Sequence, residues 1–189
     1  MILFLACGAA AGQDSGNVRV LVETELGAIE IAVDTAAAPA TAANFLRYVD
    51  AGHYNGGTFH RTVTMGNQPD NVVKIEVIQA GVNPEKATQG FGPIEIERTS
   101  VTGLRHTNGT VSMARGQADT ATSGWFICIN DQPSLDFGGG RNPDGQGFAA
   151  FGRVVRGMDV VRRIHAAPNT RDQQLTPPVR ILSAKRISG

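Results

Sequence analysis

With 189 residues, 41% hydrophobic and 18% charged, the chain suits one domain with a sizeable core and has a globular rather than a disordered or fibrous composition. Seventeen basic side chains balance seventeen acidic ones, so no net field draws it to nucleic acid or to an anionic membrane. After the first residues, no segment is long and apolar enough to span a bilayer.

The chain opens MILFLAC, an apolar run ending in Phe4-Leu5-Ala6-Cys7, followed by small residues to 12 and polar ones to 17. This is the anatomy of the tail of a secretory leader, and Phe4 to Cys7 resemble a bacterial lipoprotein cleavage box. Residues 1–17 are therefore expected to be a leader and linker that send the protein to the bacterial periplasm or cell envelope, with Cys7 a candidate lipid anchor. The alternative is an apolar N-terminus with no targeting role and a cytoplasmic protein. Residues 18–189 are expected to form the folded domain.

Alternation of Val18, Val20 and Val22, then of Ile29, Ile31 and Val33, predicts a β-hairpin over 18–34 with its tight turn at Leu26-Gly27. The period then lengthens. Ala42, Phe45, Leu46 and Val49 follow helical spacing over 36–50, with Pro39 near the start and Gly52 after the end, so Phe45 and Val49 should face a core. Short apolar runs predict strands at 57–63, 72–79, 109–114, 124–129 and 148–155. Met158, Val161 and Ile164 predict a second helix over 157–165, and Val179, Ile181 and Ile187, with Leu182 out of phase, predict a closing strand with a bulge. Many short strands with two helices fit a closed antiparallel barrel.

Several readings are excluded. The glycine-rich loop 135–147 lacks a following GK[ST] and a strand-loop-helix frame, which argues against a phosphate cradle. His53, His60, His106 and His165 show no metal-ligand spacing, and Cys128 sits in an apolar run as a small buried hydrophobe. No metal or cofactor is expected.

Two pairs of segments carry the chemistry. Phe59-His60-Arg61 precedes Val77-Ile78-Gln79-Ala80-Gly81, and the run GTVSMAR ending at Arg115 precedes Ser123-Gly124-Trp125-Phe126-Ile127-Cys128. Together they resemble the cyclophilin family of peptidyl-prolyl cis/trans isomerases, and the similarity extends from about Val18 to the C-terminus. The resemblance implies a mainly β protein, a closed eight-stranded antiparallel β-barrel capped by two α-helices, with a shallow proline groove on its outer wall. It implies that Arg61 points at the substrate's prolyl amide and that Gln79 orients Arg61 and binds substrate backbone. Phe126 would floor the proline slot, Leu135 and Phe148 would shape it, and His60 would bind substrate beside them. Ala114 and Arg115 would lie on a strand whose backbone contacts the residue before proline. The expected partners are proline-containing unfolded or loop segments of client proteins, met by a monomer.

These residue types suit that reaction. Rotation about a peptide bond meets a barrier of about 18–20 kcal/mol because the nitrogen lone pair is conjugated with the carbonyl. A catalyst needs neither a nucleophile nor a metal. It must bind the twisted form, in which the prolyl nitrogen becomes a hydrogen-bond acceptor, more tightly than the planar one. A permanently charged planar donor beside an apolar slot meets that need.

Some positions depart from the family's pattern. Glu76 stands where an aromatic pocket residue is usual, Gly124 replaces a glutamine that touches substrate, and Ser134 replaces the tryptophan that some members use to bind cyclosporin. Residues 64–73 are an insertion between Arg61 and the strand bearing Gln79. Glu76 would either tie up Arg61 in an ion pair or help to aim it. The departures imply modest activity and poor cyclosporin affinity. Two rivals are a barrel that binds proline segments without turning them over, and a hydrolase pairing His60 with a serine, for which no nucleophile motif exists.

Overall fold

The amino-terminal hairpin sets the frame. In the computed structural model, which describes residues 17–188, β1 (Asn17–Thr24) pairs antiparallel with β2 (Gly27–Asp34) in continuous register. The predicted leader and Cys7 lie outside the described residues. The turn is Glu25-Leu26, one residue earlier than the sequence suggests, because Gly27 (φ 128°) already belongs to β2. Thr24 closes it: its hydroxyl donates to the Gly27 carbonyl and accepts from the Leu26 N–H.

The remaining strands are β3 (Thr58–Val63), β4 (Val77–Gly81), β5 (Thr110–Met113), β6 (Trp125–Cys128), β7 (Ala150–Arg156) and β8 (Gln174–Ile187). All eight close into one antiparallel barrel in the order β1-β2-β7-β5-β6-β4-β3-β8. Leu182 is the extra residue of β8 against β1, where the register shifts between Glu23 and Thr24, and it is correspondingly exposed. The predicted strand over 72–79 begins only at Val77. Ahead of it, the Gln68 side chain accepts from the Ile75 N–H and donates to the Ile75 carbonyl, folding the insertion into a loop that leaves Val72 99% exposed.

Two helices pack onto opposite ends. α1 (Pro39–Asp50) follows directly from the far end of β2, whereas Gly27, at the near end, lies against Val160 of the last helix, α3 (Met158–His165). A one-turn helix, α2 (Thr99–Thr102), lies between β4 and β5. α1 has Pro39 in its first turn but no side-chain cap at Ala38. The cap comes from afar: the Glu97 carboxylate accepts from the Ala40 and Thr41 N–H groups and from the Thr41 hydroxyl.

Alternation along the strands makes two cores. Trp125, Ile127, Ile78, Ala80, Val111, Met113 and Phe59 point inward, where they meet Phe45 of α1 and Ile164 of α3. The Phe45 ring lies 5.6 Å from Tyr54, 5.6 Å from Trp125 and 4.9 Å from Phe151, in tilted or edge-on contacts. The alternate residues Val63, Val77, Phe126 and Cys128 form a second apolar cluster on the barrel's outer wall, together with Ile75 and Leu135. β6, covered on both sides, accordingly reads as a continuous apolar run, Trp125 to Cys128.

Candidate active site

Strand register assembles the site. Arg61 pairs with Gln79, and Gln79 with Phe126, which in turn pairs with Ser112, so these side chains form a row across β3, β4, β6 and β5 on the outer wall. Arg61 reaches that wall through a bulge. Phe59 faces the barrel interior opposite Ala80, yet Arg61 pairs with Gln79, which leaves His60 as an extra residue on β3. Were β3 paired evenly through His60, Arg61 would be in phase with Phe59 and point into the core.

The row borders a cavity of about 220 Å³ lined by Arg61, Ile75, Val77, Gln79, Ala114, Arg115, Phe126, Leu135, Arg141, Asn142 and Phe148. That is smaller than the roughly 300–1,000 Å³ typical of sites for drug-sized ligands, and suits a single ring. Phe126 is 5% exposed, backed by the outer cluster, and meets Phe148 edge-on at 5.4 Å. The cavity thus brings together Arg61, Gln79, Ala114, Arg115, Phe126, Leu135 and Phe148. It does not include His60, whose ring lies against Gly81. Burial lowers the His60 pKa, a hydrogen bond to the Thr58 backbone partly offsets it, and the charge of Arg61 adds a smaller lowering.

Arg61 is held by uncharged partners. Its Nη1 donates to Gln79 Oε1 (2.8 Å), while Nε and Nη2 both donate to Gln173 Oε1 (3.0 and 2.5 Å). Among the described residues it makes no ion pair. Glu76 accepts instead from the Asn130 amide at 3.1 Å. Burial, then the nearby Arg141 charge, lower the Arg61 pKa from its ordinary value, but a guanidinium stays protonated at neutral pH. Arg115 differs. Its side chain is 1% exposed and its donors go to Asp144, to the Gly147 carbonyl and to the Gly116 carbonyl, so it buttresses the 135–147 loop.

Behind Phe126 runs a buried chain that sequence reading missed. His106 Nδ1 lies 2.7 Å from Asp136 Oδ1 and its Nε2 lies 2.9 Å from Ser112 Oγ, with the imidazole stacked on the Phe126 ring. These are the residue types of a hydrolytic triad, but Ser112 and His106 are 0% and 1% exposed and do not line the cavity. The chain fixes Phe126 from behind. The rival pairing of His60 with a serine is not formed among the described residues. Also missed were Gln173, Arg141 and Asn142. Arg141 and Asn142 come from the loop without periodicity, and Arg141 Nη1 donates to the Val73 carbonyl, tying that loop to the insertion.

Comparison with known proteins agrees with this architecture. The family described as "Cyclophilin type peptidyl-prolyl cis-trans isomerase/CLD" matches residues 19–186. The chain is 35% identical to "Peptidyl-prolyl cis-trans isomerase A" of Dickeya dadantii, over 98% of this chain and 93% of that one. It is 37% identical to "Peptidyl-prolyl cis-trans isomerase cyp18" of Streptomyces antibioticus, over 88% of this chain and 96% of the relative. A crystal structure of a Cryptosporidium parvum cyclophilin type peptidyl-prolyl cis-trans isomerase superposes with a TM-score of 0.71 at 20% identity, covering 92% of this chain and 99% of that one, which supports the fold. A closed barrel of this strand order, matched along nearly all of its described length, makes the chain a member of the cyclophilin-type peptidyl-prolyl cis/trans isomerase family.

Proposed function

We propose that the cavity beside Arg61 is where this isomerase turns X–Pro bonds, with Arg61 as the catalytic donor. One observation carries the assignment: a cationic guanidinium at the edge of an apolar slot, held by two neutral amides and by no carboxylate among the described residues. Three of its five N–H donors are engaged, leaving one on each Nη.

A proline ring seated on Phe126, between Leu135 and Phe148, is immobilised while the acyl side turns. In the planar ground state the prolyl nitrogen is a poor acceptor. As the bond twists, its lone pair localises and a free Nη–H of Arg61 donates to it. The interaction strengthens only in the transition state, so it lowers the barrier rather than merely tightening binding. A 10⁵-fold acceleration corresponds to about 7 kcal/mol of such preference. Gln79 aims the guanidinium, and the backbone at Ala114 and Arg115 takes the residue before proline.

The clients we propose are unfolded or loop segments of cell-envelope proteins, served by a monomer that the MILFLAC run exports and Cys7 anchors through lipid. Cell fractionation checks this: export predicts recovery with the envelope, and release from it by Cys7→Ala. Exchange NMR on an Ala-Pro peptide tests the chemistry. Arg61→Ala should lower kcat by about 10²–10³-fold, the cost of losing one preorganised donor; an unchanged rate would overturn the assignment.

A further inference from the structure

We infer that Gln173 is a second positioning residue for Arg61, and that the 64–73 insertion serves to hold it. This rests on Arg61 acting as proposed above.

A single oxygen, Gln173 Oε1, accepts from both Nε and Nη2 of Arg61, so it fixes the plane of the guanidinium as well as its place. Gln79, which holds only Nη1, leaves the group free to swing about that bond. Together the two amides grip it on both sides, and neither neutralises it. A carboxylate at either position would draw the charge back from the prolyl nitrogen.

Gln173 is itself fixed at three points. Its backbone is left-handed (φ 69°) and its carbonyl accepts from the N–H of Thr62, the residue after Arg61. Its Nε2 donates to the Asn67 carbonyl, in the insertion, at 3.1 Å. Asn67 is buried, accepts from the Thr64 N–H, and donates to the Thr62 carbonyl and to Asn169. Gln68, 1% exposed, closes the loop on Ile75 and on the Thr64 carbonyl. The insertion is thus a built bracket running from β3 to Gln173. A left-handed non-glycine residue carries strain, here at a residue that touches the proposed catalytic group.

The test uses Gln173→Asn, which tolerates the left-handed backbone but withdraws the amide by one carbon, and Gln173→Met, which fills the volume without an acceptor. Both should lower kcat for the Ala-Pro peptide by about tenfold or more, toward the ~10²-fold that misplacing a reacting group costs. KM should move less than about twofold, because uniform binding is untouched. The ¹⁵N-detected Arg61 Nε–H signal should shift and exchange faster with water while barrel amide signals stay in place. Wild-type kcat in both variants, or an unmoved Nε–H signal, would overturn the inference, as would losses matched by changes across the barrel. Arg61→Ala run alongside separates the failures. If it keeps the wild-type rate, the function of Arg61 is wrong; if it is inactive while both Gln173 variants are normal, only the role of Gln173 falls.

Discussion

Arg61 and Arg115 sit on the same cavity with opposite fates. Arg115 commits its donors to Asp144 and to two backbone carbonyls, whereas Arg61 keeps one N–H on each Nη. The difference lies in what surrounds each guanidinium rather than in the residue type. Lysine keeps the charge but lacks the planar fork that reaches Gln79 and Gln173 at once. Arg61→Lys should therefore recover less than about a tenth of wild-type kcat while KM stays near its wild-type value, since one decade equals about 1.4 kcal/mol of lost transition-state preference. Exchange NMR reads both constants. At this scale Arg61, Gln79 and Phe126 were legible because each lies in a short motif on a strand, and pairing of neighbouring strands brings them together. Gln173 was not. It lies 112 residues from Arg61 in sequence, in a stretch without periodicity, and only closure of the barrel through β8 brings it alongside. Glu76 does neither of the things expected of it: its place in the family's pattern suggested contact with Arg61, but its carboxylate accepts from Asn130.

At the scale of elements, the amino-terminal hairpin and both main helices could be read from period, since an apolar stripe must find a core, and the middle strands from short apolar runs. What could not be read is what ends them. No residue near Ala38 announces a cap for α1, because the carboxylate comes from Glu97, across the fold. Glu97→Ala should destabilise the protein by about 0.5–2 kcal/mol, the usual cost of a lost helix cap, as measured by urea unfolding. In the glycine-rich 135–147 loop the resemblance singled out Leu135 alone, yet the loop also supplies Arg141 and Asn142 to the cavity and is tied down by Asp144 on Arg115. Hydrogen bonds from Arg115, then from the Gln146 N–H, hold the Asp144 carboxyl down from 3.8 to about 2. Asp136 is shifted the same way: burial raises it, but hydrogen bonds from His106 outweigh burial and leave it lowered. A carboxyl whose folded pKa is depressed stabilises the fold fully above its unfolded value and loses that contribution as pH falls through the folded one. The urea midpoint should therefore drop as pH falls from about 4 towards 2. Asp144→Asn should make that fall shallower without abolishing it, since Asp136 still titrates.

For the molecule as a whole, barrel and site share one wall. The strands that bury Ile78, Trp125 and Ile127 inside present Gln79, Phe126 and Cys128 outside. The closed barrel was foreseeable from eight short strands and the family's motifs, but not this doubling of the core, because alternation disappears from the sequence once both faces are apolar. The slot floor is therefore as rigid as the barrel behind it. One consequence follows from the irregularity at His60. Its imidazole is dispensable to the architecture, and so is its place in the count. Excising that single residue would join Phe59 to Arg61 just as Ala80 joins Gln79 across the ladder, leaving the two sides of the strand as they are, whereas a strand that ran evenly through it would drive a permanent cation into a space filled by aromatic rings. Such a deletion should be recovered soluble with native circular dichroism, as should His60→Ala; insoluble deletion product would mean that the irregularity itself is needed where β3 meets β8.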